Sequence, residues 1–403
     1  MATGAFEIAR QSLRAGEDYL RHPGTEKSLG NLPNAALEPG TPEYEERLSE
    51  LVESSPFLDT THPLDGYEIV KLVLMAPVAV VRFLVIYLIV FIAALVCKVA
   101  LIGVDPKVGM SHVAASRVRP IIRCLAQATV LVAGLGPLPV RGKEHLAEAE
   151  KVRAVVAINH ESYLDALVLM AVLTPTGVAK SSVARTPGVG AICRALGFVF
   201  VARRGTADVR DAWTLPAGED PIKALARAAS DDRFGLLFVA PEGTTKARQA
   251  LLKFKRGAFS TGHPVLPMLI RYKYAHHAVG WGCWRSTPFH VFRTLAQFCT
   301  PTEVVFLPVQ RKQEGEAPEE FAQRVRELMG REMPCPLADE GITEERMLLK
   351  AGLAVTIWGD KVERFPVPEK KRKHKHAGRP RASTTSSSVE DELPAPVETK
   401  KET

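Results

Sequence analysis

The sequence predicts an α/β protein: a mixed sheet flanked by helices, preceded by an N-terminal membrane helix or re-entrant helical hairpin and followed by a disordered C-terminal tail. Three observations carry this expectation. Between Pro139 and about Pro308, short apolar runs alternate with helical patterns and turns, the rhythm of strands separated by helices. From Leu72 to Ile102 almost every residue is apolar, a run longer than the roughly 20 residues that a spanning helix needs. After Phe365 the chain passes into Lys, Pro, Ser and Thr, a composition that cannot bury a core.

Residues 1–66 are polar and rich in acid, Pro and Gly, and read as an irregular leader with no cleaved signal sequence. The membrane-associated part covers 67–135. Within it, Phe83 to Cys97 is an unbroken apolar block, with Arg82 and Lys98 beyond its ends and Pro77 further upstream. Two geometries fit: one tilted span with Arg82 and Lys98 snorkelling at its ends, or two short helices that dip into one leaflet and return. The weaker run Ile121 to Leu135 carries Arg123 and Gln127, so it reads as a helix lying against the membrane or on the catalytic domain.

The α/β domain is expected over 136–355. Strands are predicted at Ala154–Ile158, Phe198–Val201, Gly235–Ala240, Val265–Ile270 and Val304–Leu307, each a short apolar or β-branched run. Helices are predicted at Leu164–Leu173, Val189–Leu196, Ile222–Ala229, Glu319–Met329 and Glu344–Ala351. The tail, 366–403, carries the basic run Lys370 to Lys375. The formal net charge is +7, and beside an apolar segment such basic clusters favour anionic headgroups or phosphorylated ligands. Without a nucleic-acid motif, no nucleic-acid partner is expected. The six cysteines lack paired spacing, which argues against a zinc site or disulfide framework and for a reducing compartment.

The stretch Asn159-His160-Glu161-Ser162-Tyr163-Leu164-Asp165 closes the first predicted strand. On one regular helix, residues five apart diverge by about 140°. His160 and Asp165 therefore meet only if His160 lies in the turn and Asp165 in the first helical turn. There the carboxylate would orient the imidazole and leave its other nitrogen for a substrate hydroxyl. The same spacing also fits a helix start with acidic residues near its positive end. Downstream, Gly197 to Arg204 ends a strand in tandem arginines suited to a phosphate. Val239 to Thr245 ends another in a Pro-Glu-Gly turn.

In order and spacing these segments resemble the glycerophospholipid acyltransferase superfamily. Its four blocks match His160 to Asp165; Gly197, Phe200 and Arg203; Pro241, Glu242, Gly243 and Thr244; and Val265-Leu266-Pro267. Leu251 to Phe259 and Glu303 to Val309 resemble the lysophosphatidylcholine and lysophosphatidylethanolamine acyltransferase branch. Two departures stand out. Ala240 replaces the family's usual Phe, and the acidic loop of the EF-hands that some members carry is missing.

The resemblance implies transfer of a fatty acyl group from acyl-CoA, a co-substrate rather than a bound cofactor, to the free hydroxyl of a lysophospholipid at a bilayer. No metal is implied. His160 would be the base and Asp165 its orienter. Arg203 would hold the acceptor phosphate; Glu242, Gly243 and Thr244 the glycerol part; Pro267 the acyl-donor side. Gly197, Phe200 and Pro241 complete the substrate-binding blocks. Lysophosphatidate as acceptor, or a membrane-shaping lipid-binding protein of the same fold, are the alternatives. Lys400-Lys401-Glu402-Thr403 matches a di-lysine retrieval signal, which points to the endoplasmic reticulum with a cytosolic C-terminus.

Overall fold

The computed structural model describes residues 39–105, 109–201, 215, 219–333 and 335–367. The basic tail, including Lys370 to Lys375 and Lys400-Lys401, lies outside them. Chain order gives α1 (Pro42–Ser54), α2 (Gly66–Ala100), α3 (His112–Val132), β1 (Val140–Arg141), α4 (Lys143–Val152), β2 (Val155–Ile158), α5 (Leu164–Val172) and β3 (Thr176–Lys180). There follow α6 (Val189–Ala195), β4 (Val199–Val201), α7 (Pro221–Ser230), β5 (Leu237–Val239), β6 (Val265–Tyr272), α8 (Thr287–Leu295) and β7 (Thr302–Phe306). The last elements are α9 (Pro318–Glu332), α10 (Ile342–Lys350), β8 (Leu353–Val355) and β9 (Val362–Arg364).

Seven strands form one mixed sheet in the order β1-β7-β6-β2-β5-β3-β4. Its neighbours run parallel except β6 and β7, which are antiparallel. Side chains alternate across a strand, and β2 shows the result. Val156 and Ile158 face a core shared with α3 and α5, while Val155 and Ala157 face one built with Leu225 of α7 and with Phe321, Val325 and Met329 of α9. Both faces are covered, so β2 reads as a continuous apolar run. Full burial of a Phe or Val here contributes about 1.5–3 kcal/mol each.

Three expectations need correction. The leader read as irregular contains α1, capped by the Thr41 hydroxyl accepting from Tyr44 N at 3.3 Å. Its stripe Tyr44, Leu48 and Leu51 packs with Met347, Leu348 and Leu353. The apolar segment is neither a hairpin nor broken at Pro77: α2 is one helix of 35 residues. Arg82 does not snorkel. Its guanidinium donates to the carbonyls of Leu295 at 2.8 Å, Phe298 at 3.0 Å and Gln297, capping the end of α8, where a cation suits the helix dipole.

α2 is held at both ends. At its start Asp65 caps it by accepting from Glu68 N at 2.8 Å. The buried Glu68 pairs with Lys71 and with Arg293 of α8 at 3.0 Å, while Lys71 donates to Gln297 at 2.7 Å. Near its end Ala93 and Cys97 pack with Ala115, Val118 and Ile122 of α3 and Ala191 of α6. Arg123 and Gln127, which interrupt the apolar run of α3, donate to the carbonyls of Leu173 and Ala171 at 3.1 Å each, at the end of α5. The opposite face of α2 is bare: Val73, Leu74, Leu84, Phe91 and Val99 are all exposed.

Candidate active site

The turn after β2 is built by its own side chains. Asn159, fully buried, clamps Ile270 of β6 from both sides, donating to its carbonyl at 2.9 Å and accepting from its amide at 2.8 Å. Ser162 Oγ donates to Val279 O at 2.7 Å, and Glu161 O accepts from Trp281 N at 2.8 Å. The main chain is thus pinned on both sides of His160.

His160 and Asp165 meet as the angular argument requires. His160 sits in the turn and Asp165 in the first turn of α5, with Nδ1 and Oδ2 2.7 Å apart. Oδ2 also accepts from the amides of Glu161 at 2.8 Å and Ser162 at 3.0 Å, while Oδ1 accepts from the Tyr272 hydroxyl at 2.6 Å. Both oxygens of this carboxylate, at the start of a helix, are thus used as acceptors. An ionised carboxylate only accepts hydrogen bonds, so Nδ1 of His160 carries the proton and Nε2 holds the free lone pair. The His160 side chain is 29% exposed and that of Asp165 1%, so the imidazole is reachable and its orienter is not.

Glu242 belongs to the same assembly. It has no exposure, and its carboxylate accepts from His160 N at 2.8 Å, from Leu252 N at 3.1 Å and from Lys246 Nζ at 2.7 and 2.6 Å. Lys246, equally buried, donates further to His160 O at 3.1 Å. Both backbone groups of His160 are held by this ion pair. Gly243 follows at φ +74°, its amide donating to Ala240 O at 3.1 Å, and a Cβ there would stand 2.9 Å from Lys255 Nζ. The Thr244 hydroxyl donates to Glu345 of α10. Ala240 packs against the core beneath the turn.

Other expected site residues sit elsewhere. Phe200 is wholly buried between Ala184 and Cys193 and offers no surface to a ligand. Gly197, at φ +71°, leaves room for the Phe234 ring, 2.6 Å from where a Cβ would be. Gly197 thus lies just ahead of β4 and Phe200 within it. Pro267 is buried in β6 opposite Ala157, its carbonyl accepting from Leu307 N at 3.0 Å. Pro241 is buried too and accepts from Lys255 N at 2.8 Å. Arg203 lies outside the described residues. In the basic run, Lys253 is exposed, Arg256 pairs with Glu319 at 3.0 Å, and Lys255 lies along the Gly243 turn.

Asn159, Tyr272 and Lys246 are the residues bonded into this turn that motif reading missed. Lys246 stands four residues after Glu242, a spacing read as a pair only on helices, and here it spans a turn. Burial pushes the Glu161 carboxyl up from 4.5 to about 8, with Lys246 opposing and Asp165 and Glu242 adding to it. Among the described residues, no group of His, Cys, Asp and Glu is arranged to hold a metal ion.

The family model for acyltransferases matches residues 138–271. The chain is 31% identical over 255 residues to the lysophospholipid acyltransferase LPEAT2 of Arabidopsis thaliana, covering 63% of this chain and 45% of that one. It is 34% identical over 209 residues to LPEAT1 of the same plant, 51% of each chain. It is 32% identical over 238 residues to mouse lysophosphatidylcholine acyltransferase 2, covering 58% and 42%. The chain thus spans about half the length of the curated relatives it matches. The crystal structure of the 1-acyl-sn-glycerophosphate acyltransferase PlsC from Thermotoga maritima overlaps with a TM-score of 0.46 at 20% identity, covering 66% of this chain and 95% of that one. The His160–Asp165 turn lies inside the segment that the acyltransferase family model matches, and it is this segment of the chain that is similar to an acyltransferase domain.

Proposed function

We propose that the protein transfers a fatty acyl group from acyl-CoA to the free hydroxyl of a lysophospholipid at a membrane surface, lysophosphatidylcholine or lysophosphatidylethanolamine being the favoured acceptors. The observation that carries this reading is the 2.7 Å contact between His160 Nδ1 and Asp165 Oδ2, which leaves Nε2 as a base facing outward. Nε2 takes the hydroxyl proton as that oxygen attacks the thioester carbonyl. The C–S bond then breaks, and the proton passes from the imidazolium to the departing thiolate. Asp165 holds the tautomer and stabilises the imidazolium. No acyl-enzyme is needed, and Ser162, committed to Val279 O, is not a nucleophile. Glu242 acts through the backbone of His160, as a positioning residue. Lys255, beside the Gly243 turn, and Arg203 supply positive charge for phosphates.

The bare face of α2 supports attachment to a bilayer. The helix is long and apolar enough to cross a membrane, yet it contacts the domain from Glu68 to Cys97, a distance of roughly 44 Å at 1.5 Å per residue. A bilayer core is about 30 Å thick. A crossing helix would drag α8 and α6, with their polar surfaces, into hydrocarbon. We therefore place α2 along one leaflet, apolar face down. The six free cysteines support a domain facing a reducing compartment, as on the cytosolic face of the endoplasmic reticulum.

The test is an acceptor panel of lysophosphatidylcholine, lysophosphatidylethanolamine, lysophosphatidylserine and lysophosphatidate with labelled acyl-CoA. Transfer to at least one acceptor is expected, with a drop of about 10²–10⁴-fold in His160→Ala, the range for a general base. Unchanged turnover in that variant would sink the mechanism.

A further inference from the structure

The β8–β9 hairpin ends beside the start of α2. Its turn is rigid: Thr356 N donates to Lys361 O at 3.0 Å, Gly359 N to Thr356 O at 3.1 Å, and the Thr356 hydroxyl to Asp360 Oδ1 at 2.6 Å. It is also docked. Leu64 N donates to Trp358 O at 2.7 Å, and a Cβ on Gly359 would lie 3.1 Å from His62 O. The tip is therefore seated on the residues that lead into the Asp65 cap of α2.

On this tip Ile357 is 46% and Trp358 54% exposed. Turns ordinarily place small or polar residues where side chains meet water, and two large apolar ones in succession call for a partner. The tip is bonded to Leu64, and α2 begins two residues later with Tyr67, Val70, Val73 and Leu74 exposed in turn. Beyond Trp358 the chain becomes polar at once, with Asp360 and Lys361. Apolar residue, tryptophan and charged pair within five positions is the gradient of a bilayer's headgroup zone, where the indole keeps its ring among lipid and its N–H near water.

We infer that Ile357 and Trp358 insert at the headgroup level of the bilayer and extend the membrane-contacting surface beyond α2. Because the tip is bonded to the approach to α2, it fixes the rotation of the domain about that helix, which sets how the His160 turn faces the lipid. The inference rests on the membrane reading of α2 given above.

The full-length protein is reconstituted with phosphatidylcholine vesicles whose acyl chains carry bromine near the headgroup, and tryptophan quenching is compared with that of Trp358→Phe. The part of the emission that the variant lacks should be the strongly quenched part. Ile357→Asp with Trp358→Asp should weaken vesicle partitioning on the order of tenfold, with the melting curve in detergent without vesicles unchanged. Flotation of the wild type with vesicles but no quenching of Trp358 overturns the inference and leaves the membrane reading standing; that outcome also fits a tip covered by protein. Failure to float removes both.

Discussion

Two buried ionic clusters of similar chemistry do different work. At the His160 turn, Glu242 and Lys246 hold the backbone N–H and C=O of His160. Beneath α2, Glu68, Lys71 and Arg293 join a helix to α8 and to the carbonyls of His62 and His276. Each is enclosed, and each satisfies its charges with further hydrogen bonds, the condition under which a buried pair is tolerated. The difference lies in what is held. One cluster holds the backbone of a single residue, His160; the other sets a whole helix against a domain. Similar energies should therefore have dissimilar consequences for catalysis.

The largest expected effect comes from breaking either cluster. Glu242→Gln and Glu68→Gln should each lose about 3–5 kcal/mol of stability, the range for removing one partner of a buried pair, as read by denaturant unfolding in detergent. They should part in kcat per folded molecule, with Glu242→Gln falling at least roughly tenfold and Glu68→Gln staying within about a factor of two. An equal loss of kcat in both would erase the distinction.

The next effect is in pH. Only the catalytic cluster borders a carboxyl as perturbed as Glu161, raised by burial to about 8. Between its ordinary 4.5 and about 8 the folded chain keeps a proton that the unfolded chain has released, so stability falls as pH rises through that window. Glu161→Gln should remove this slope, and unfolding midpoints of the two proteins should separate in favour of the variant between pH 6 and 9. Parallel pH curves would show that Glu161 ionises normally.

The smallest effect belongs to an exposed pair, Arg256 with Glu319 at 3.0 Å. Arg256→Ala should change stability by less than about 1 kcal/mol, as solvent-exposed pairs do. A loss comparable to that of Glu242→Gln would mean that burial is not what separates these clusters from the surface.

What could be read beforehand divides on physical lines. His160 and Asp165 were legible because helix geometry leaves five-apart residues one way to meet, and β2 because burial on both faces makes it apolar throughout. β3 was not. Thr176–Lys180 contains Gly177, which is there because the Phe238 ring occupies the place of its Cβ, and that packing partner lies far along the chain. α1 hid in a polar leader because it buries only one stripe, Tyr44, Leu48 and Leu51. Lys246 could not be read as a partner of Glu242 without the turn that brings it back. Arg82 looked like a snorkelling end because sequence shows its apolar neighbours and not the three carbonyls of the α8 end and the residues after it.

Those three carbonyls carry a thermodynamic consequence. Arg82 fastens the long apolar helix to the folded domain at mid-length, so whatever covers the bare face of that helix is sensed by the domain. A bilayer that meets the bare face of α2 then behaves as a ligand of the native state alone, and mass action adds its binding free energy to that of folding. Melting temperature should rise with lipid concentration even for variants that have lost the catalytic base.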